Sequence, residues 1–169
     1  MGLRVLIKMS SVEFHKFREN INNIDDYTDQ REKIFDNFID QGLPNKRNES
    51  WKYFDLVSKS KEYIKNDISN SEIIVENIEE NNFFYDYADN NLSIEDYLKP
   101  CNFFKGESVV DLNVACGNQI KILDVKHNQN EPIKIKINYN EKNISLPRLI
   151  INIADNIKTK INYVNSSTS

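Results

Sequence analysis

The chain has 169 residues, the size of about one domain, with 39% apolar residues, 28% charged residues and a formal net charge of −4. Its four glycines are not spaced as a Walker loop or a dinucleotide-binding loop requires, which excludes nucleotide enzymes of those two types. The negative charge argues against a protein that binds nucleic acid through an overall basic field.

The start of the chain carries two predicted helices. A Ser-x-x-Glu capping pattern at Ser10 precedes apolar residues at helical spacing and predicts a helix from about 11 to 22. A stripe of Ile and Phe predicts a second helix over 27–41. Gly42 is placed to cap that helix, and Pro44 prevents its continuation. We therefore expect an α-helical start that packs through one apolar face.

The middle of the chain mixes turns, short helices and one short strand. Residues 43–56 contain the only tryptophan, Trp51, and indicate a packing corner with a short helical turn. A helix over 59–68 and a strand over 73–75 are predicted next. A second capping pattern predicts a helix of one or two turns that begins at Ser93.

Apolar residues in the last third of the chain are typical of strands. Short apolar stretches within 109–124, the alternation over 131–138, the run over 149–154 and the alternation over 157–163 all fit strands half buried in a sheet. Because no helix is expected between them, we expect a stack of strands or a solenoid.

The balance of acidic and basic residues also differs between the first and the last part of the chain. Residues 1–105 carry 20 acidic and 14 basic residues, whereas residues 106–169 carry 6 acidic and 8 basic residues. We therefore predict two domains, a helical and mixed one over 1–105 and a strand-rich one over 106–169.

Residues able to perform catalysis or bind a metal are few and scattered. The two histidines, His15 and His127, have no second ligand at metal-binding spacing. The two cysteines, Cys101 and Cys116, fit a reduced cytosolic chain better than a disulfide framework or a zinc site. Cys116 would act as a nucleophile or a metal ligand only if the fold brought a base or further ligands to it. We assign no catalytic or metal-binding residue, and the pattern favours a scaffold over an enzyme.

A set of short motifs follows a recognisable order. The motifs are Gly-Leu-Pro, Arg-x-Glu, Trp-Lys-Tyr, Leu-Asn-x-Ala, Glu-Pro-Ile and Pro-Arg-Leu-Ile, and their signature residues are Gly42, Leu43, Pro44, Arg47, Glu49, Trp51, Lys52, Tyr53, Asn113, Pro132, Pro147 and Arg148. In this order they resemble the SufD-like proteins of the SufB/SufD family, which belong to the SUF iron–sulfur cluster assembly machinery. Phe54 departs from the pattern, in which a threonine is usual.

The resemblance implies both a fold and a function. The fold would be α+β, a small N-terminal helical domain followed by the first strands, or rungs, of a right-handed parallel β-helix, truncated in this chain. The function would be a non-catalytic scaffold in the cytoplasm with SufB-like and SufC-like partners, of which the SufC-like protein hydrolyses ATP. No cofactor is assigned to this chain, and an iron–sulfur cluster is expected only at the level of the complex. A separate chain would carry the missing C-terminal half, and neither nucleic acid nor a membrane is an expected partner.

Two alternatives remain open. The chain could be a truncated or split SufD remnant with only an interaction role. Under either reading, the unpaired edge of its last strand, 157–163, predicts that the chain alone is marginally stable or prone to aggregation. It could instead be a small binding module that uses Trp51 and the aromatic cluster within 83–87. Core packing is the more common role for such aromatic residues, and the acidic first half argues against nucleic acid.

Overall fold

A computed structural model describes residues 14–21, 28–44, 52–54, 56–62, 64–87, 107–117 and 119–168. The chain divides into two compact units, one drawn from Met1–Asp67 and Phe104–Cys116 and the other from Ile68–Phe103 and Gly117–Ser169. The predicted domain boundary between residues 105 and 106, like the helix predicted from Ser93, lies outside the described residues and stays a prediction.

The described part of the first unit is helical. Its helices are α1 (His15–Ile21), α2 (Thr28–Gln41), α3 (Leu56–Ser60) and α4 (Ser108–Cys116). Within the described residues, α1 and α2 confirm the helices predicted over 11–22 and 27–41. None of the described helices is long and apolar enough to cross a membrane.

The apolar stripes of α1 and α2 form the core of this unit. Phe14, at the start of α1, packs edge-on against Phe38 of α2 with ring centroids 4.9 Å apart, a favourable geometry for aromatic pairs. Phe17 and Phe35 are also fully buried. On the surface, the Arg18 guanidinium bridges to carboxylates on α2, and its hydrogen bond with Asp36 raises the pKa of the arginine.

The end of α2 has the predicted cap. Gly42 has φ +70°, and its N–H donates to the carbonyl oxygen of Phe38 at 2.7 Å. A left-handed residue at this position is the usual way to satisfy a free carbonyl at a helix C-terminus. A Cβ at Gly42 would meet no heavy atom within 4 Å, so the backbone conformation rather than space favours glycine there.

Two secondary-structure predictions in this region are wrong. The Val109-Val110 pair favours a strand locally, yet it lies in helix α4, which buries residues around most of its circumference, including Leu112, Val114 and Cys116. Burial on several sides removes the one-sided pattern that marks a helix in sequence. In place of the helix predicted over 59–68, α3 ends at Ser60, the described residues that follow form turns, and Ile68 pairs with Ile144 in a parallel bridge.

The second unit contains two sheets of three strands each. Its described strands are β1 (Glu72–Glu76), β2 (Phe83–Asp86), β3 (Gln119–Val125), β4 (Ile133–Asn140), β5 (Pro147–Ile153) and β6 (Ile161–Thr168). One sheet has the order β1-β4-β6 and the other β2-β3-β5. In both sheets the first pair is antiparallel and the second pair is parallel.

The predicted right-handed parallel β-helix is wrong. The architecture is α+β with two small mixed sheets, and within the described residues neither sheet closes or continues as a solenoid. The reason lies in β1 and β2, which pair antiparallel with β4 and β3. Alternation along a strand reports which side is buried, but it does not report the direction of the neighbouring strand.

The individual strands were more predictable than their arrangement. Strands β1 and β4 confirm those predicted over 73–75 and 131–138. The alternation over 157–163 is only partly a strand, since a turn with Asn156 at φ 64° precedes β6 at Ile161. The core lies between the two sheets: Leu123, Val125, Ile133 and Ile135 are buried together.

Candidate interaction surface

The feature with the clearest functional meaning is the pair of outer parallel strands, β5 and β6. Strand β5 pairs with β3 from Gln119↔Pro147 onward, and β6 pairs with β4 from Ile133↔Ile161 onward, so both ladders have the same 28-residue offset. Each of the two strands lies at one end of its sheet among the described strands. We call the outer edges of β5 and β6 the open-edge surface.

Strand β6 differs from the strands at the opposite edges of the two sheets, whereas β5 begins with Pro147 and the charged Arg148. Strand β6 has eight residues and no charged side chain. At the opposite edges, β1 carries Glu72 and Glu76, and β2 has only four residues, of which Asp86 is one. Short length and charge are the devices by which proteins protect sheet edges from pairing with other chains. Those devices are present on β1 and β2 and missing from β6.

The apolar side chains of this surface lie one ladder step beyond the core. Ile153 is opposite Val125, and the exposed fractions of the two side chains are 47% and 0%. Ile151 is opposite Leu123 and is likewise exposed beside a buried partner. Tyr163 is exposed on β6. Another strand laid along these edges would bury the same positions that the core buries one step inward.

Polar contacts fix β5 to its sheet on the other face. The Asp124 carboxylate accepts from Tyr85 Oη at 2.8 Å and from Asn152 Nδ2 at 2.8 Å, which ties β2, β3 and β5 together. Burial, together with this hydrogen bond, raises the pKa of Tyr85 to about 12. The phenol therefore stays protonated and keeps donating across the physiological range.

In the other sheet, a lysine lies on the central strand, β4. Lys136 on β4 has Ile74 of β1 on one side in the ladder and Val164 of β6 on the other. Its Nζ donates to Glu76 Oε1 at 2.6 Å, and this hydrogen bond lowers the pKa of the glutamate. Positions 74 and 164 therefore lie beside one cation at the two opposite edges of one sheet, with Ile74 half-buried and Val164 exposed.

The candidate nucleophile Cys116 lies in an environment that disfavours its reactive thiolate form. It lies at the end of α4 rather than in the strand-rich stretch that the sequence indicated, and it is fully buried. Its Sγ lies 3.7 Å from the carbonyl oxygen of Phe17, and burial raises the thiol pKa to about 12. Because the thiolate is the reactive and metal-binding form, this cysteine is poorly suited to either role at neutral pH.

The other ligating residues do not converge in the described part of the chain. His127 lies exposed in a loop, where its backbone N–H donates to Asn82 Oδ1 at 2.9 Å. Cys101 lies outside the described residues, as does the side chain of His15. Among the residues that the structure describes, no group of three or more His, Cys, Asp and Glu could hold a metal ion.

The structure describes only some of the signature residues between Gly42 and Tyr53. Gly42 forms the cap of α2, with Leu43 and Pro44 buried behind it. Lys52 Nζ lies 5.2 Å from the ring centroid of Tyr53, which is 91% exposed. The remaining members, Arg47, Glu49 and Trp51, lie outside the described residues.

The signature residues between Asn113 and Arg148 are divided between the two units. Asn113 belongs to α4. Pro132 precedes β4, and its carbonyl oxygen accepts from Asn77 Nδ2 at 3.3 Å. Pro147 and Arg148 begin β5. Of the described signature residues, Gly42 stands at a helix cap, Asn113 lies within a helix, and Pro132, Pro147 and Arg148 lie at or just before the starts of strands.

The aromatic cluster within 83–87 is not a continuous platform. Phe84 packs against the core between the sheets, and Tyr87 is buried. Phe83 is the one exposed ring of the four, and Lys126 Nζ lies 5.4 Å from its ring centroid. The packing role that the sequence favoured accounts for most of this cluster.

Comparison of the chain with protein-family models, with curated proteins and with solved structures gives no match. The geometry must therefore carry the functional argument. The residues that sequence reasoning missed are those of the open-edge surface, above all Ile151, Ile153 and Val164. A signal exists in the sequence for β6, since residues 161–168 contain no charged side chain.

Proposed function

We propose that this chain is a scaffold component of SUF iron–sulfur cluster assembly that acts in a complex with SufB-like and SufC-like proteins. The observation that carries the proposal is the open-edge surface: no other described strand pairs with the outer edges of β5 and β6, apolar side chains flank those edges, and such edges suit the docking of another polypeptide. The ordered motifs that resemble the SufB/SufD family supply the identity of the partners.

In this proposal the chain binds its protein partners, and those partners carry out the catalysis. The raised thiol pKa of Cys116 supports that division, because a buried, protonated thiol neither attacks a substrate nor binds iron readily. ATP hydrolysis belongs to the SufC-like protein, and an iron–sulfur cluster belongs to the assembled complex. The proposed compartment is the cytoplasm, and the free thiol of Cys116 fits a reducing environment.

Co-purification tests this proposal. The tagged chain is co-expressed with a SufB-like and a SufC-like protein, and capture is compared for the wild type and two variants. Val164→Glu places a carboxylate on the open-edge surface and should lower capture several-fold. Phe83→Glu places the same group at a similarly exposed position on β2, beside Lys126, and should leave capture unchanged. Capture of neither partner by the wild-type chain overturns the proposal.

One observation favours a second function. Tyr53 is exposed, a lysine lies beside its ring, and Phe54 is exposed next to it. Such an aromatic and basic pair is suited to stacking on single-stranded nucleic acid. Titration of a labelled oligonucleotide at low and moderate salt tests this. Binding that weakens with salt and with Tyr53→Ala favours the second function, and absence of binding at low salt rejects it.

A further inference from the structure

Two buried hydroxyl groups of the second unit lack a hydrogen-bond partner. Ser69 Oγ and Ser145 Oγ are both shielded from solvent, and neither bonds to any residue that the structure describes. They are the two buried side-chain oxygen or nitrogen atoms in this condition among the described residues. Buried polar groups without a partner are costly and rare in folded proteins, so the pair requires a physical explanation.

The backbone places the two hydroxyls beside each other. Ile68 pairs with Ile144 in a parallel bridge, and the Ser69 N–H donates to the Ile144 carbonyl oxygen at 2.9 Å. Ser69 and Ser145 each follow their bridge residue by one position. Because successive side chains alternate and neighbouring strands lie roughly 4.7–4.9 Å apart, both serine side chains project to the face opposite the two isoleucines, about one strand spacing from each other.

This spacing is too long for a direct bond and suits one bridging water. Direct O–H···O bonds are about 2.5–3.0 Å long, and Ser69 Oγ and Ser145 Oγ do not bond to each other. A water molecule that bonds to both joins oxygens roughly 4–5.5 Å apart, since each of its two bonds is about 2.8 Å long. We propose that these two hydroxyls bind one buried water molecule, which joins the segment before β1 to the segment before β5.

A neighbouring serine shows how a hydroxyl in this region is satisfied when a longer side chain reaches it. Ser71 is 5% exposed, and its Oγ donates to Gln119 Oε1 at 2.9 Å. Gln119 has the length to reach this hydroxyl, whereas the neighbour of Ser69 across the bridge is another short serine. A water molecule between Ser69 and Ser145 supplies the missing length.

Water suits the pair better than a metal ion. Both hydroxyls are neutral, and the Ile144 carbonyl oxygen already accepts the Ser69 N–H. Hard cations prefer six or more oxygen ligands that include carboxylates, and in the described part of the chain no group of three or more His, Cys, Asp and Glu could hold a metal ion. A buried water needs only about two to four polar partners.

Oxygen-17 magnetic relaxation dispersion, which counts long-lived internal water molecules, tests the proposal directly. We expect Ser69→Ala, Ser145→Ala and the double variant each to hold one such water fewer than the wild type. Ser71→Ala is the matched control, because its hydroxyl bonds within the protein, and it should keep the wild-type count. Circular dichroism verifies that each variant is folded. An equal count in the wild type and the double variant, or the same loss in Ser71→Ala, overturns the proposal.

The direction of the stability change gives a second test. Removal of either hydroxyl breaks a water bridge, so each single variant should lower the urea midpoint, and the double variant should lower it by less than the sum of the two shifts. If no water is bound, Ser69→Ala removes a buried unsatisfied group and raises the midpoint instead. A raised midpoint in either single variant, or additive shifts, overturns the proposal. Neither measurement depends on the SufB-like and SufC-like proteins, so the proposed function is tested separately.

Discussion

Tyr163 lies directly opposite Ile135 in the parallel ladder of β6 and β4, and the exposed fractions of the two side chains are 55% and 1%. One ladder step therefore separates solvent from the middle of the core. Among the described strands, the apolar face of this sheet therefore continues to its outermost strand, which no further described strand covers. This relationship underlies the assignment of the open-edge surface as a docking site.

The same pair predicts unequal effects on stability. Ile135→Ala removes a fully buried side chain and should lower the free energy of unfolding by about 2–5 kcal/mol. Tyr163→Ala, one step outward, should lower it by less than about 1 kcal/mol in dilute protein. Urea denaturation of both variants is the measurement. Equal losses would mean that the outer strand is already covered.

The buried side chain of Arg31 is expected to stabilise the C-terminal end of α4. Its Nη1 donates to the carbonyl oxygens of Val114 and Ala115 at 2.7 and 3.3 Å, in a buried setting at the C-terminal end of α4. Arg31→Met leaves these acceptors without that donor and should cost about 2–4 kcal/mol of unfolding free energy. Lys33→Met, on the exposed side of the same helix, should cost less than about 0.5 kcal/mol. Similar urea midpoints for the two variants would contradict this role for Arg31.

Asn82 holds the loop that follows β3. Its Oδ1 accepts from the backbone N–H groups of Lys126 and His127 at 2.7 and 2.9 Å. Asn82→Ala should cost about 1–3 kcal/mol and speed hydrogen exchange at those two amides. Asn82→Asp keeps an acceptor oxygen and should retain most of their protection. Unchanged exchange in Asn82→Ala would show that the loop is held by other contacts.

The buried thiol of Cys116 should give the stability of the protein a specific dependence on pH. Burial raises the pKa of the folded-state thiol from 9.0 to about 12, so its contribution to stability is present below about pH 9 and is lost as pH rises towards 12. The wild type should therefore lose stability relative to Cys116→Ala between pH 8 and pH 10.5 in urea titrations. In a Cys101→Ser background, native protein should also resist alkylation at pH 8. Rapid alkylation would contradict the burial of this thiol.

Local features of the fold were predictable from the sequence, and their combination was not. The cap at Gly42 and the strand β4 follow from side-chain type and spacing within a few residues. Helix α4 was missed because its β-branched pair favours a strand and its burial on several sides hides the helical pattern. The direction of pairing of β1 and β2 depends on residues far apart in the chain, which local periodicity does not report.

The candidate surface was partly foreseeable. The sequence indicated an edge at the last strand, although it placed that strand over 157–163 rather than Ile161–Thr168. It did not indicate that Ile153 and Tyr163 stand beside fully buried residues, because a ladder neighbour 28 positions away leaves no mark on local spacing. The signature residues drew attention to Trp51 and its neighbours instead.

The most direct test of the scaffold assignment is the mass of the assembly in solution. The wild-type chain is mixed with purified SufB-like and SufC-like proteins and analysed by native mass spectrometry. We predict one species that contains all three proteins, and a marked loss of that species for Val164→Glu. Spectra in which the wild-type chain appears only without either partner would contradict the scaffold assignment.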